Sequence, residues 1–149
     1  MKADSSNKDG FTAKSLEGTY AIGVRNILPN AEDNQSIGGI GLLRFDGEGK
    51  LINIDTTIYT PDKTNPGAVV ASLLPSVEAT YTVKPNGIGE IKGFVGLPED
   101  LDPPTIFIIT RAQSGIAQEL FIVLGAVGQD GGLVTLPAKR QRQETHECK

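Results

Sequence analysis

The chain has 149 residues and a formal net charge of −4, with 18 glycines, one histidine, one cysteine and no tryptophan. This length predicts a single domain that buries its own core. The acidic balance argues against a nucleic-acid partner, the lone cysteine excludes an internal disulfide, and no apolar run is long enough to span a membrane as a helix.

Both ends of the chain are polar. The first ten residues lack the apolar stretch of a signal peptide. We therefore expect a cytoplasmic protein, or an exported one whose signal peptide has been removed. The composition further predicts a flexible N-terminal segment over residues 1–14, one β domain over residues 15–141 and a charged tail over residues 142–149.

Between the two ends, eight segments alternate apolar and polar residues or are apolar throughout, as β-strands are. They are residues 18–26, 36–45, 50–59, 76–84, 87–96, 105–111, 119–127 and 133–141. Asp-Gly and Asn-Gly turn signals lie between strands at residues 46–49 and 85–87. Residues 68–74 are ambiguous and fit either a helical turn or a short strand.

No segment has a sustained 3.6-residue apolar period, so the sequence predicts an all-β fold. Strands joined by short connections usually pair with their neighbours, and a meander leaves two exposed edges unless it closes. We therefore predict an eight-stranded antiparallel up-and-down barrel, closed or nearly closed, with a two-sheet sandwich as the alternative. Glycines inside the strands, such as Gly41 and Gly89, favour the bends that closure needs.

Residues 105–111 and 119–127 are apolar on both faces, whereas the outer face of a free-standing barrel is polar. Cover for that outer face could come from residues 68–74, from the N-terminal segment or from a second subunit. Exposed apolar patches commonly mark interfaces. We predict a homo-oligomer that associates through the strands carrying Phe107 and Phe121.

The residues that usually carry catalysis or bind metals lie in unsuitable places. His146 and Cys148 both fall in the charged tail, which cannot easily hold an imidazole against a nucleophile or complete a metal site. The acidic loop at Glu99, Asp100 and Asp102 lacks the spacing of a calcium loop. The sequence therefore predicts no catalytic residue, no metal site and no cofactor.

The candidate ligand-binding residues are Tyr20, Phe45, Asp55 and Tyr81. Strand alternation places Tyr20 and Tyr81 on the inner face, and Phe45 is expected there too.

Residues 50–59 leave two choices for the inner face. Either Ile52 and Ile54 point inward, or Asn53 and Asp55 do. We expect the isoleucines inside, because a carboxylate at Asp55 would be costly there unless it were paired, in which case it would be a functional residue.

Two turn-and-core motifs carry a resemblance. They are Phe45-Asp46-Gly47 with Gly49, and Thr80-Tyr81-Thr82-Val83 with Asn86-Gly87. Over residues 16–141 the chain resembles small bacterial β-barrel proteins of unknown function, similar in outline to calycin and allene-oxide-cyclase barrels. The resemblance implies a barrel and carries over no catalytic residue.

Three functions are compatible with these features. The leading hypothesis is a non-catalytic barrel that binds a small apolar or amphipathic ligand or acts as an interaction module. The alternative is a cyclase or isomerase of the allene-oxide-cyclase type acting on a lipid-like substrate, and the third is an oligomeric structural protein with a filled barrel. An internal cavity would favour binding.

Overall fold

The computed structural model describes residues 10–28, 38–62, 64–65, 67–94, 105–125 and 133–142. A short 3-10 helix spans Ala13–Ser15. The strands are β1 (Glu17–Leu28), β2 (Gly38–Asp46), β3 (Lys50–Pro61), β4 (Val69–Leu73), β5 (Glu78–Val83), β6 (Ile88–Lys92), β7 (Thr105–Gln113), β8 (Ile116–Gly125) and β9 (Leu133–Arg140). The predicted tail residues His146 and Cys148 and the acidic loop residues Glu99, Asp100 and Asp102 lie outside this described part.

Eight of these strands close into a barrel, and all of the pairings are antiparallel. The sheet order is β2-β1-β9-β8-β7-β6-β5-β3-β4, and a further β2–β3 pairing closes it. The predicted eight-stranded antiparallel barrel is thus confirmed. Residues Val69–Leu73, from the ambiguous segment, form the additional strand β4.

Strand β3 is long enough to pair with two strands on the same side. Its first residues, Lys50 to Ile52, pair with β5, and its last residues, Thr57 to Pro61, pair with β4. Consequently β4 and β5 lie end to end along β3, with residues 74–77 interrupting them.

The core is built from alternate residues of the barrel strands. In β2 the burial alternates through Leu43 and Phe45, and in β5 through Ala79 and Tyr81. Gly89 is required by close approach, because a Cβ there would overlap the ring of Phe107, which is 1% exposed. The inner face is therefore packed with large side chains over much of the barrel.

One end of the barrel, here called the turn end, carries the short connections β2–β3, β5–β6 and β7–β8. Residues 10–16 pack across it. The Phe11 N–H donates to the Pro85 carbonyl at 3.0 Å, and Leu16 is completely buried. Residues 10–14, which fall in the N-terminal segment predicted to be flexible, bond and pack on the barrel through their backbone and apolar side chains. The flexibility of that segment stays a prediction.

Candidate ligand cavity

An apolar cavity of about 270 Å³ lies inside the barrel, toward the end opposite the turn end. It is bounded by β1, β3, β8, β9 and the segment between β4 and β5. Its lining residues are Ile22, Val24, Asn53, Thr56, Ile58, Leu74, Pro75, Val77, Phe94, Leu124, Val134 and Leu136. Only Asn53 and Thr56 in this set have polar side chains.

Asn53 faces the cavity because of the β2–β3 register. Phe45 pairs with Leu51 and Leu43 pairs with Asn53, so Leu51 and Asn53 share the inner face with those core residues. Asn53 is 6% exposed. The prediction that Ile52 and Ile54 point inward is therefore wrong, because the turn at residues 46–49 sets the opposite alternation.

The Asn53 side chain bridges the interruption between β4 and β5. Its carboxamide oxygen accepts a hydrogen bond from the Val77 N–H, and its Nδ2 donates to the Pro75 carbonyl at 3.3 Å. The Asn53 backbone N–H also donates to the Val77 carbonyl at 3.3 Å. Buried amides require such partners, and these three bonds hold the segment that forms one wall of the cavity.

A β-bulge follows Asn53 and reverses the expected alternation. Ile40 pairs with Thr57 and Leu42 with Ile54, so the two residues between Ile54 and Thr57 stand opposite Gly41 alone. Asp55 adopts φ 49° at this bulge and is exposed. Asp55 therefore does not line the cavity, and the carboxylate avoids the burial cost that an unbulged strand would impose.

Thr56 occupies the inner position beside Asp55 at the bulge. It is 4% exposed, and its Oγ1 donates to the Ile54 carbonyl at 3.4 Å. A Cβ on Gly41 would overlap this hydroxyl, which explains the glycine in β2. The side chains of both polar residues in the cavity wall, Asn53 and Thr56, are thus hydrogen-bonded to backbone groups of the protein.

The other three candidate ligand residues pack together near the turn end. The Phe45 ring lies edge-on to Tyr20 and Tyr81, with centroid distances of 5.3 and 5.1 Å. All three are buried, as strand alternation predicts for the tyrosines. None of them lines the cavity, so their predicted role in ligand binding stays a prediction.

Both tyrosine hydroxyls are bonded to backbone carbonyls. Tyr20 donates to Ala117 at 2.7 Å, and Tyr81 donates to Ala13 at 2.8 Å. Burial away from water raises the pKa of each phenol to about 12. The cluster therefore closes the turn end as a packed, hydrogen-bonded layer, with the cavity beyond it.

Apolar side chains also cover the outer face of β7 and β8. Ile106, Ile108 and Phe121 are each exposed by about two fifths, and with Ile88 and Val123 they form a shallow depression of about 160 Å³. Strand β4 pairs with β3 and residues 10–16 pack at the turn end, so neither covers this face.

Comparison with protein-family models, with curated proteins and with solved structures finds no match to this chain. Across the described ranges, no group of three or more histidine, cysteine or acidic side chains is placed to hold a metal ion. No helix in the described part of the chain is long and apolar enough to cross a membrane.

Proposed function

We propose that this chain is a non-catalytic barrel protein that binds a small apolar or amphipathic molecule in the cavity lined by Asn53, Leu124 and Leu136. The observation that carries the proposal is a cavity beyond the buried cluster of Tyr20, Phe45 and Tyr81, with a lining that is almost wholly apolar. Native cores leave few voids larger than a water molecule, and ligand sites are typically apolar concavities with a few polar groups.

The cavity volume sets the size of the ligand. A dry apolar cavity of about 150 Å³ in another protein accepts benzene, so about 270 Å³ suits an uncharged molecule of roughly two rings or an equivalent hydrocarbon chain. An anionic or cationic ligand group would meet no ionisable side chain among the described lining residues and would have to remain at the cavity mouth in water.

A cyclase or isomerase of the allene-oxide-cyclase type is the second candidate. It is favoured only by the general architecture, a closed eight-stranded antiparallel barrel. Acid–base chemistry on a bound substrate needs a titratable group within hydrogen-bond reach. Asp55, which would have been the candidate had it pointed inward, is exposed at the bulge.

Self-association through the β7 and β8 strands is a further part of the proposal. Phe121 is 41% exposed on the outer face, whereas Phe107 is 1% exposed and faces the core. Contact would therefore be made by Phe121 with Ile106 and Ile108, and Phe107 would support it from inside. Replacing Phe121 with Lys should lower the solution mass if this face associates.

Binding is tested with 1-aminonaphthalene, an uncharged two-ring probe whose fluorescence depends on the polarity of its surroundings. The probe is excited at wavelengths longer than those that tryptophan and tyrosine absorb, so the signal remains that of the probe in every variant. We expect a Kd on the order of 10 µM for a ligand of this size. Leu124→Trp, which fills the cavity, should weaken binding by at least about tenfold.

The matched control is Val123→Trp. Val123 is the preceding residue of β8, is similarly half-buried and lies on the outer face. This variant should retain the affinity of the unmodified protein within about twofold. Loss of binding in Val123→Trp with retention in Leu124→Trp would instead place the probe on the outer face and contradict the proposal.

A further inference from the structure

Strand β4 is an edge strand that leaves half of its backbone hydrogen-bonding groups without a strand partner. It stands last in the sheet order and pairs only with β3 among the described strands. All five of its residues are exposed, with Val69 at 66% and Leu73 at 71%. Exposed edges of this kind are templates for pairing with another strand.

The hydrogen-bonding pattern shows which backbone groups are available. The Asp62 N–H donates to the Ala68 carbonyl at 3.0 Å, and the Leu74 N–H donates to the Thr56 carbonyl at 2.8 Å. Antiparallel positions alternate between bonded and non-bonded, so even-numbered residues of β4 bond to β3. Val69, Ala71 and Leu73 therefore direct their N–H and C=O groups away from the barrel.

The usual protection of an edge strand is missing here. No charged residue occurs between Lys63 and Glu78, so β4 carries no charge to repel an approaching strand. Natural monomers commonly place lysine or an inward charge at such an edge. Pro66 and Pro75 flank the strand in the sequence and, lacking N–H donors, limit pairing to the short stretch between them.

We propose that β4 pairs antiparallel with β4 of a second copy of this chain, about a two-fold axis at Ala71. This interface goes beyond the proposed ligand binding and is separate from the outer face of β7 and β8. The register sets Ala71 opposite Ala71 and Val69 opposite Leu73, so that about six backbone hydrogen bonds form. The sheets of the two copies then continue through the pair.

The strand is self-complementary in size as well as in hydrogen bonding. The small Ala71 lies at the axis, and each exposed Val69 covers an exposed Leu73 of the second copy. This contact buries apolar surface that is otherwise in water. Because each copy uses its free edge to pair with the other, this interface joins two copies and no more. Strand β4 offers neither a charged residue nor a pocket that would recognise an extended peptide from another protein specifically.

Paired charge variants test this register directly. Val69→Lys with Leu73→Lys sets like charges opposite each other twice, so we expect the solution mass by light scattering to fall by half. Val69→Lys with Leu73→Glu sets opposite charges together in the same places, so the mass should be retained. Both are exposed positions, and unchanged circular dichroism verifies that the variants fold.

Amide exchange by NMR provides the second measurement. A dimer should protect the amides of Val69, Ala71 and Leu73 as well as those of Val70 and Ser72, whereas a monomer should protect only the latter two. Ala71→Pro removes one outward N–H, which an edge position tolerates, and should weaken association at least about tenfold.

Three results would overturn the proposal. One is a monomer mass at protein concentrations up to roughly 500 µM. Another is an equal loss of mass in both charge variants, and the third is fast exchange at Val69, Ala71 and Leu73 in the unmodified protein. If Phe121→Lys alone abolishes association and the like-charge variant leaves it intact, the interface lies on the outer face and β4 pairing is excluded.

Discussion

Removing the side chain of Asn53 should destabilise the barrel through one orphaned hydrogen-bond donor. Asn53→Ala leaves the half-buried Val77 N–H without its acceptor and the Pro75 carbonyl without its donor. Pro75 is exposed, so water replaces the lost donor there. Val77 bears the larger penalty, because an unsatisfied buried donor costs about 1–3 kcal/mol.

Asn53 is 6% exposed, so its truncation also removes packing contacts. Together with the orphaned donor, we expect Asn53→Ala to lower the free energy of unfolding by about 2–3 kcal/mol. For a domain of this length, that corresponds to a decrease in Tm of roughly 5–10 °C. Urea unfolding followed by circular dichroism measures the change, and NMR amide exchange should show Val77 opening locally.

Asn53→Leu separates the hydrogen bonds from the packing. Leucine has the same branched side-chain shape and fills the space, but it neither accepts a hydrogen bond from Val77 nor donates one to Pro75. If the orphaned donor causes the loss, Asn53→Leu should be nearly as destabilised as Asn53→Ala. If the free energies of unfolding of both variants lie within about 0.5 kcal/mol of that of the unmodified protein, the reasoning is refuted.

The remaining predictions concern the packed part of the barrel. Burial raises the pKa of Tyr20 and Tyr81 to about 12 from the ordinary tyrosine value of about 10, so the protonated phenols favour the folded state. This contribution is complete below pH 10 and is lost as the pH rises toward 12, by about 1.4 kcal/mol per tyrosine at pH 11. Denaturant titrations from pH 8 to 11.5 check this, with Tyr59→Phe confining the absorbance change to the two buried phenols, and constant stability over that range would contradict it. Gly89→Ala should lower the free energy of unfolding by roughly 3 kcal/mol or more, since the added Cβ overlaps Phe107. In Gly23→Ala the added Cβ meets no atom of the described residues within 4 Å, so this variant should be neutral or stabilised by about 0.5 kcal/mol. Equal effects of the two substitutions in thermal unfolding would show that the glycines serve no packing role.

The barrel itself was predictable because its signals are local. Alternating residues such as Tyr20, Ile22 and Val24, together with Asp-Gly and Asn-Gly turns, define strands and hairpins without knowledge of distant contacts. Closure then follows from the need to remove edges. The same alternation correctly placed Tyr20 and Tyr81 on the inner face.

The cavity wall was harder to predict because it depends on two irregularities. The register of the β2–β3 hairpin makes Asn53 face inward, and the bulge at Asp55 brings Thr56 to the inner face. Neither has a simple sequence signature. Gly41 lies opposite the bulge. A glycine within a strand commonly marks a bulge or a close approach, so this residue was a sequence signal for the irregularity.

Strand β4 was ambiguous for a related reason. A short apolar run does not distinguish a strand from a helical turn by its periodicity, and its assignment depends on pairing with residues Thr57 to Pro61 of β3. The sequence shows that no charged residue lies between Lys63 and Glu78. Only the pairing of β4 with β3 shows that the other edge of β4 is open.

The central claim is that the cavity opposite the turn end accepts a small apolar ligand. Methyl NMR during titration with 1-aminonaphthalene tests it most directly. The account predicts saturable shifts at Ile22, Val134 and Leu136, with Ile106 and Ile108 unchanged. Shifts confined to Ile106 and Ile108, or no saturable shift at all, would contradict it.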